Sequence, residues 1–359
     1  VPDYRLLAGM AKADRARTVA ALERLRDVLD RALPRKTLDD TMLLATWNIR
    51  ELDSAKYGAR TDEAYLYLAE VISRFDVVAV QEVRNDLAGL RRLNAALGPH
   101  WRWIVTDVTA GRSGNGERMA FLYDTRTVEF TGLASELVLP PLPGGKPSEQ
   151  VARTPFAAGF RAGWATFQLA TVHIVYGSDR GDDERRVAEI EAVAKALGER
   201  ARDPHNWPRT LVLLGDFNIF SRSDVTMQAL QRAGWAVPSE LQHIPGSNVP
   251  KDKHYDQIAV RADPAEREHF QTTGRAGVLD VFDAVLRDGD EAAFTAAMGR
   301  GYRRNKLGQW RGAEAKHRYY RAWRTFQLSD HLPMWIEVVT EYSAEYLAAD
   351  RAAATGPAG

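Results

Sequence analysis

Leu211-Val212-Leu213-Leu214-Gly215-Asp216-Phe217-Asn218 is a short apolar run that stops at a glycine and then offers a carboxylate and an amide two residues apart. The run has the length and character of a buried strand. A strand that ends for structural reasons alone needs a turn former, so the two polar side chains point to a site at its mouth. The same form recurs at Met42–Ile49, with Trp47-Asn48-Ile49, and at Val77–Val83, with Gln81-Glu82-Val83. It returns after a less regular approach at Ser329-Asp330-His331. Further β-rich runs lie at Met119–Tyr123, Trp164–Val175, Gln257–Val260 and Met334–Val339. Between them Glu63–Phe75, Asp86–Leu97, Asp183–Arg202 and Asp224–Ala233 carry helical apolar spacing. Strands and helices do not alternate strictly, which excludes a parallel barrel and predicts an α/β sandwich with sheets inside and helices outside.

Asp14–Leu33, with Val19, Leu22, Leu25, Leu29 and Ala32 at helical spacing, reads as an amphipathic helix that packs on its own domain or on a partner. The expected organisation is a helical extension over 1–40, a catalytic domain over 41–342 and a tail over 343–359. Pro- and Gly-rich Leu139–Pro147 and Gly111–Gly116 read as surface loops.

The 359 residues are 45% hydrophobic and 27% charged, enough for a large core. Cysteine is absent, so a disulfide scaffold and thiolate-held metal are excluded and any metal takes oxygen or imidazole ligands. The 48 basic residues equal the 48 acidic ones, which argues against a chain coated in positive charge but not against a local basic patch. No run of about 18 apolar residues occurs, so no membrane span is expected. The expectation is a soluble, cytoplasmic protein, with secretion left open because the chain starts at Val1, and the sequence carries no sign of an oligomeric state.

Carboxylates and amides at converging strand ends suit phosphoester hydrolysis, which needs a metal to neutralise phosphoryl oxygens and a positioned water. Magnesium takes few oxygen ligands and keeps several waters, so Glu82, Asp330 and Asn48 would suffice for Mg²⁺ or Mn²⁺. Alone, each motif is more simply a turn or a wet strand end.

Together and in order, the motifs from Met42 to Val339 resemble the endonuclease/exonuclease/phosphatase superfamily, in its deoxyribonuclease I-like form. That resemblance implies a four-layer sandwich with two central mixed sheets flanked by helices, here with an added N-terminal helix. It implies that Asn48 lies near the metal, that Glu82 is the main metal carboxylate and that Asp330 assists it. Asp216 and Asn218 would orient water and phosphate, and His331, beside Asp256, would contact phosphate or move a proton. The same branch carries a second histidine with a carboxylate partner, matched by His173 and Glu117. Arg118 and Tyr176, beside these motifs, are candidate phosphate contacts.

Between Arg300 and Arg324 the sequence is dense in arginine, lysine, tryptophan and tyrosine, and its only acid is Glu314. Cations follow a phosphate backbone and aromatic faces stack on bases, so Arg318, Arg321 and Arg324 are expected to touch nucleic acid. The competing reading places the aromatics in the core and the arginines on a solvated face. The leading expectation is a DNA or RNA nuclease. A phosphatase or phosphodiesterase for a small or lipid phosphate ester, and a noncatalytic phosphate-binding module, are the alternatives.

Overall fold

The computed structural model describes residues 2–54, 56–108, 116–139, 151–202, 210–261 and 270–355. Its strands are β1 (Thr41–Leu52), β2 (Val77–Arg84), β3 (Trp101–Val105), β4 (Glu117–Asp124), β5 (Glu129–Glu136), β6 (Phe156–Ala162), β7 (Ala165–His173), β8 (Leu211–Asp216), β9 (Asp256–Arg261), β10 (Thr272–Val278) and β11 (Met334–Val339). The helices are α1 (Lys12–Ala32), α2 (Asp62–Ile72), α3 (Ala88–Leu97), α4 (Glu184–Arg202), α5 (Val225–Arg232), α6 (Thr295–Arg303), α7 (Ala313–Gln327) and α8 (Ser343–Thr355).

The strands form two mixed sheets, ordered β10-β11-β1-β2-β4-β3 and β5-β6-β7-β8-β9. Each has a parallel pair at its heart, β1 with β2 and β7 with β8, joined through a helix and flanked by antiparallel strands. This geometry brings the ends of β1, β2, β7 and β8 and the starts of β4, β9 and β11 to one edge.

Period-two patterning explains the layering. In β1, Met42 and Leu44 join the core that includes β6 and β7, while Leu43, Ala45 and Trp47 join the core shared with α2 and α3. Both faces of β1 are therefore buried, as its nearly unbroken apolar run requires. Gln81 donates through Nε2 to Thr171 Oγ1 at 2.8 Å, a buried polar tie between the sheets close to the site.

Helix α1 packs on its own chain: Leu22, Leu25 and Leu29 enter the core of α2 and α3, and Arg17 and Thr18 bond Glu63. Helices α6 and α7 occupy the basic, aromatic stretch. Tyr320 and Trp323 are fully buried there, so these aromatics belong to the core; Trp310 is exposed beneath Arg304, 4.0 Å from ring centroid to guanidinium. The expected loops at 139–147 and 111–116 lie almost wholly outside the described residues, as do residues 356–359 of the expected tail. Strands β3, β5, β6 and β10 add to the expected set. No helix among the described residues is long and apolar enough to cross a membrane.

Candidate active site

Asn48 sits near the end of β1, on the shared edge. Its Nδ2 donates to Glu82 Oε1 at 2.9 Å and to Asp216 Oδ2 at 3.0 Å, joining the two sheets. Its Oδ1 is buried without a hydrogen-bond partner. Glu82 is aimed by a break in strand pairing, since the register shifts on both sides of it, against β1 and against β4. The backbone N–H of Glu51 donates to Glu82 Oε2 at 2.7 Å and fixes the carboxylate.

Three non-glycine residues lining the cavity are left-handed: Glu51 at φ 38°, Glu82 at 61° and Asn218 at 52°. Each costs on the order of 1 kcal/mol, a strain that persists where surrounding contacts hold a side chain in a required direction. Gly215, at φ 139°, is demanded by packing, because a Cβ there would stand 2.2 Å from the Val172 carbonyl oxygen. That close approach sets His173 directly opposite Asp216 in the β7–β8 register.

Asp216 Oδ2 is the meeting point. His173 Nε2 lies 3.5 Å from it and His331 Nε2 3.7 Å. Each ring turns its other nitrogen to a second carboxylate. His331 Nδ1 bonds Asp256 Oδ2 at 2.8 Å, and His173 Nδ1 lies 3.1 Å from Glu117 Oε2, close enough for an ion pair but without hydrogen-bond alignment. Burial opposes charge on His331, but Asp256 and Asp216 outweigh it and hold the ring's proton well above the ordinary imidazole range.

The loop bearing Asp330 and His331 is pinned to β1. Trp47 Nε1 donates to the His331 carbonyl oxygen at 2.9 Å, Ser329 Oγ donates to Asn48 O at 2.5 Å, and the His331 N–H donates to Ser329 Oγ at 2.9 Å. Asp330 is 41% exposed, with Arg50 Nε 3.3 Å from its Oδ2.

The resulting cavity, about 480 Å³, brings together Glu82, Glu117, His173, Tyr176, Asp216, Asn218, Asp330 and His331. Asp256 stands behind His331, fully buried. Asn218 anchors its own amide on the Ile174 carbonyl oxygen at 2.8 Å, and its N–H donates to Asp216 Oδ1 at 2.9 Å. Tyr176 gives its hydroxyl proton to Asp179 at 2.6 Å. Arg118 does not line this cavity; it donates to the carbonyl oxygens of Asn85 and Thr106.

Glu51, Arg84 and Arg153 also line the cavity, and sequence reading missed them. Arg84 stands two residues after Glu82 and shares its strand face, a signal that was available. Arg153 follows the Pro- and Gly-rich loop without a local pattern, yet its Nε donates to Glu117 Oε2 at 2.7 Å. Burial raises the Glu117 pKa, but the adjoining His173 ring and the Arg153 guanidinium outweigh this and bring it down to about 2. A depressed carboxyl contributes stability that is full above its ordinary value of 4.5 and is lost as pH falls toward about 2. Glu117→Gln should therefore flatten the fall in urea midpoint from pH 5 to pH 3; a midpoint that still falls as in the wild type would sink this account.

For a metal, no three acidic or imidazole side chains among the described residues stand close enough to hold an ion by themselves. Magnesium does not need three. Two carboxylates on one cavity, Glu82 and Asp330, with the unpartnered Asn48 Oδ1 behind them, form an all-oxygen donor set that fits a hard divalent cation.

The family model described as "Endonuclease/Exonuclease/phosphatase family" matches residues 45–325. The chain belongs to the endonuclease/exonuclease/phosphatase family. Members of this family are phosphoric ester hydrolases and generally use divalent metals. Among solved structures, a conserved protein of unknown function from Enterococcus faecalis V583 is similar at 17% identity and TM-score 0.52, over 84% of this chain and 100% of that one. A family protein from Bacteroides thetaiotaomicron is similar at 15% and 0.50, over 84% and 98%. D. rerio TDP2, complexed with a single-strand DNA product, is similar at 13% and 0.50, over 84% and 99%. At these identities the likeness is one of fold. No curated protein matches the sequence significantly.

Proposed function

We propose that this family member is a divalent-metal-dependent phosphodiesterase that cleaves a DNA or RNA strand, acting through residues 41–342, with 1–40 and 343–359 as extensions. The observation that carries the reading is the convergence of two carboxylate-backed imidazoles and one amide on Asp216 Oδ2. A structural carboxylate needs no such company, whereas a group that holds and deprotonates a water beside phosphorus does.

Glu82 and Asp330, with Asn48, would hold Mg²⁺ or Mn²⁺, which when bound neutralises charge on the phosphoryl oxygens. Asp216 orients the attacking water and takes its proton, while the N–H of Asn218 holds the other Asp216 oxygen and so fixes the plane of the carboxylate. His331 and His173 present Nε2 toward the same point, where a protonated ring donates to a phosphoryl oxygen or to the departing one. Asp256 and Glu117 fix the rings, and Arg153 both holds Glu117 and adds a cation to the wall. Water attacks directly, so no covalent enzyme intermediate forms.

A small phosphate ester is the second reading, favoured by a cavity of about 480 Å³, the size of a small-molecule site. The test is an activity panel of single- and double-stranded DNA, RNA, and small phosphate mono- and diesters, with Mg²⁺, Mn²⁺ or EDTA. Hydrolysis of polynucleotide that stops in EDTA is expected. Turnover of monoesters alone overturns the nuclease reading, and full activity in EDTA overturns the metal.

A further inference from the structure

A groove of about 670 Å³ opens beside the cavity and shares Tyr255, Asp330 and His331 with it. Its far wall is α7, carrying Arg321, Arg324 and Thr325, and Arg50 reaches across from β1 to donate to Thr325 Oγ1 at 2.5 Å. The two compartments differ in charge. Among their described lining residues, the cavity has the carboxylates of Glu51, Glu82, Glu117, Asp216 and Asp330 against Arg84 and Arg153, whereas the groove has Arg50, Arg321 and Arg324 against Asp330 alone.

Arg50 pairs with Asp330, but the two arginines of α7 have only one carboxylate between them. Asp288 is shared between Arg321, at 2.7 Å, and Arg324, at 2.8 Å, so one carboxylate faces two guanidinium groups. Arg324 is buried, and its Nε has no hydrogen-bond partner. Arg321 is 55% exposed by side chain, so a phosphate in the groove competes with Asp288 for its guanidinium. Arg318, by contrast, pairs with Glu314 and lines neither compartment.

Resting on the hydrolase reading above, we propose that this groove is a subsite for the phosphate next to the scissile one, so that the protein acts on a strand rather than on an isolated ester. A cavity rich in carboxylates accepts one phosphate with its metal. The neighbouring phosphate of the same strand then falls on the side of Asp330 and His331 where cations outnumber carboxylates, and Arg321 supplies an exposed charge it shares with Asp288. The Tyr255 ring, 5.4 Å from that of His331, stands at the partition between the two phosphates.

The test uses a dinucleoside monophosphate, a trinucleoside diphosphate, and the two trinucleotides in which one or the other phosphate is replaced by a neutral methylphosphonate. Binding of fluorescein-labelled trinucleotide to the Asp256→Asn protein in Mg²⁺, which keeps Glu82, Asp330 and Asn48, gives a readout that does not depend on the rate of turnover. The second phosphate should raise kcat/KM about tenfold, as one charge-assisted contact allows, and one methylphosphonate isomer should lose that gain. Arg321→Glu should remove most of the gain and weaken trinucleotide binding by a similar factor, and Arg321→Lys should keep part of both. Equal kcat/KM with one phosphate and two, or equal losses on both substrates in Arg321→Glu, overturns the subsite and leaves the hydrolase reading standing. Arg321-dependent binding without hydrolysis of any ester overturns the hydrolase reading and leaves the subsite.

Discussion

Glu82→Gln is expected to lower Mg²⁺-dependent phosphodiester hydrolysis about a thousandfold, about 4 kcal/mol of transition-state stabilisation, in a protein that stays folded. Glutamine keeps the length and shape of the side chain, and its one amide oxygen can accept from either the Asn48 amide or the Glu51 N–H but not from both, so one hydrogen bond is lost. What it loses is the charge that the proposed role as a ligand for a hard cation requires. The left-handed backbone at Glu82 is unchanged by the substitution, so its strain is carried equally by both proteins. Mg²⁺ affinity measured by calorimetry should fall with the rate, and the thermal midpoint should stay within a few degrees. Wild-type rates in this variant would overturn the metal assignment, and a collapsed midpoint would reassign Glu82 to the scaffold.

Asp256→Asn should lower kcat about a hundredfold or more and leave KM nearly unchanged. Asp256 is wholly buried and does not line the site cavity, so its proposed role runs through the His331 ring, whose Nδ1 it holds at 2.8 Å. Asparagine is of the same size but brings no charge to stabilise a charged imidazole, and its amide can turn a donor toward the ring. Removing one charge of this buried pair leaves the other uncompensated, so the variant should also lose stability, on the order of a few kcal/mol, and its kinetics are measured well below its unfolding transition. A kcat within twofold of the wild type would show that His331 needs no carboxylate. A large rise in KM alone would make the pair a binding device.

The two sheets were legible wherever a strand is buried on both faces, as at Leu43–Trp47 and Leu211–Leu214, because such strands must be nearly all apolar. Strand β5 alternates exposed and half-buried residues at a sheet edge, and β10, Thr-Thr-Gly-Arg-Ala-Gly-Val, is held by pairing with β11 rather than by its own propensity. Neither leaves a period-two apolar signature. At the site, Asn48, Glu82 and Asp216 could be read because each closes an apolar run. Arg153 could not, since its place depends on a partner 36 residues away across the fold. In α7 the helical period hides which residues face inward: Tyr320 and Trp323 fill the core, and of the three arginines expected to touch substrate only Arg321 and Arg324 line a compartment.

The pairing of β1 with β11 has a consequence for how the protein comes into being. The chain builds part of one sheet with β1 to β4, leaves to make the whole of the other, and returns to finish the first with β10 and β11. Thr41 meets Val339, so one of the most central strands waits for its neighbour until nearly 300 residues have followed it. Loop closure on that scale is slow, and until it occurs the open edge of β1 is exposed to wrong partners. Asp330 and His331 arrive immediately ahead of β11, so the last strand to seal the sheet is also the one that seats the loop bearing them. On the proposed function a growing chain would complete its site only when its fold is nearly closed, and its activity would report completed assembly.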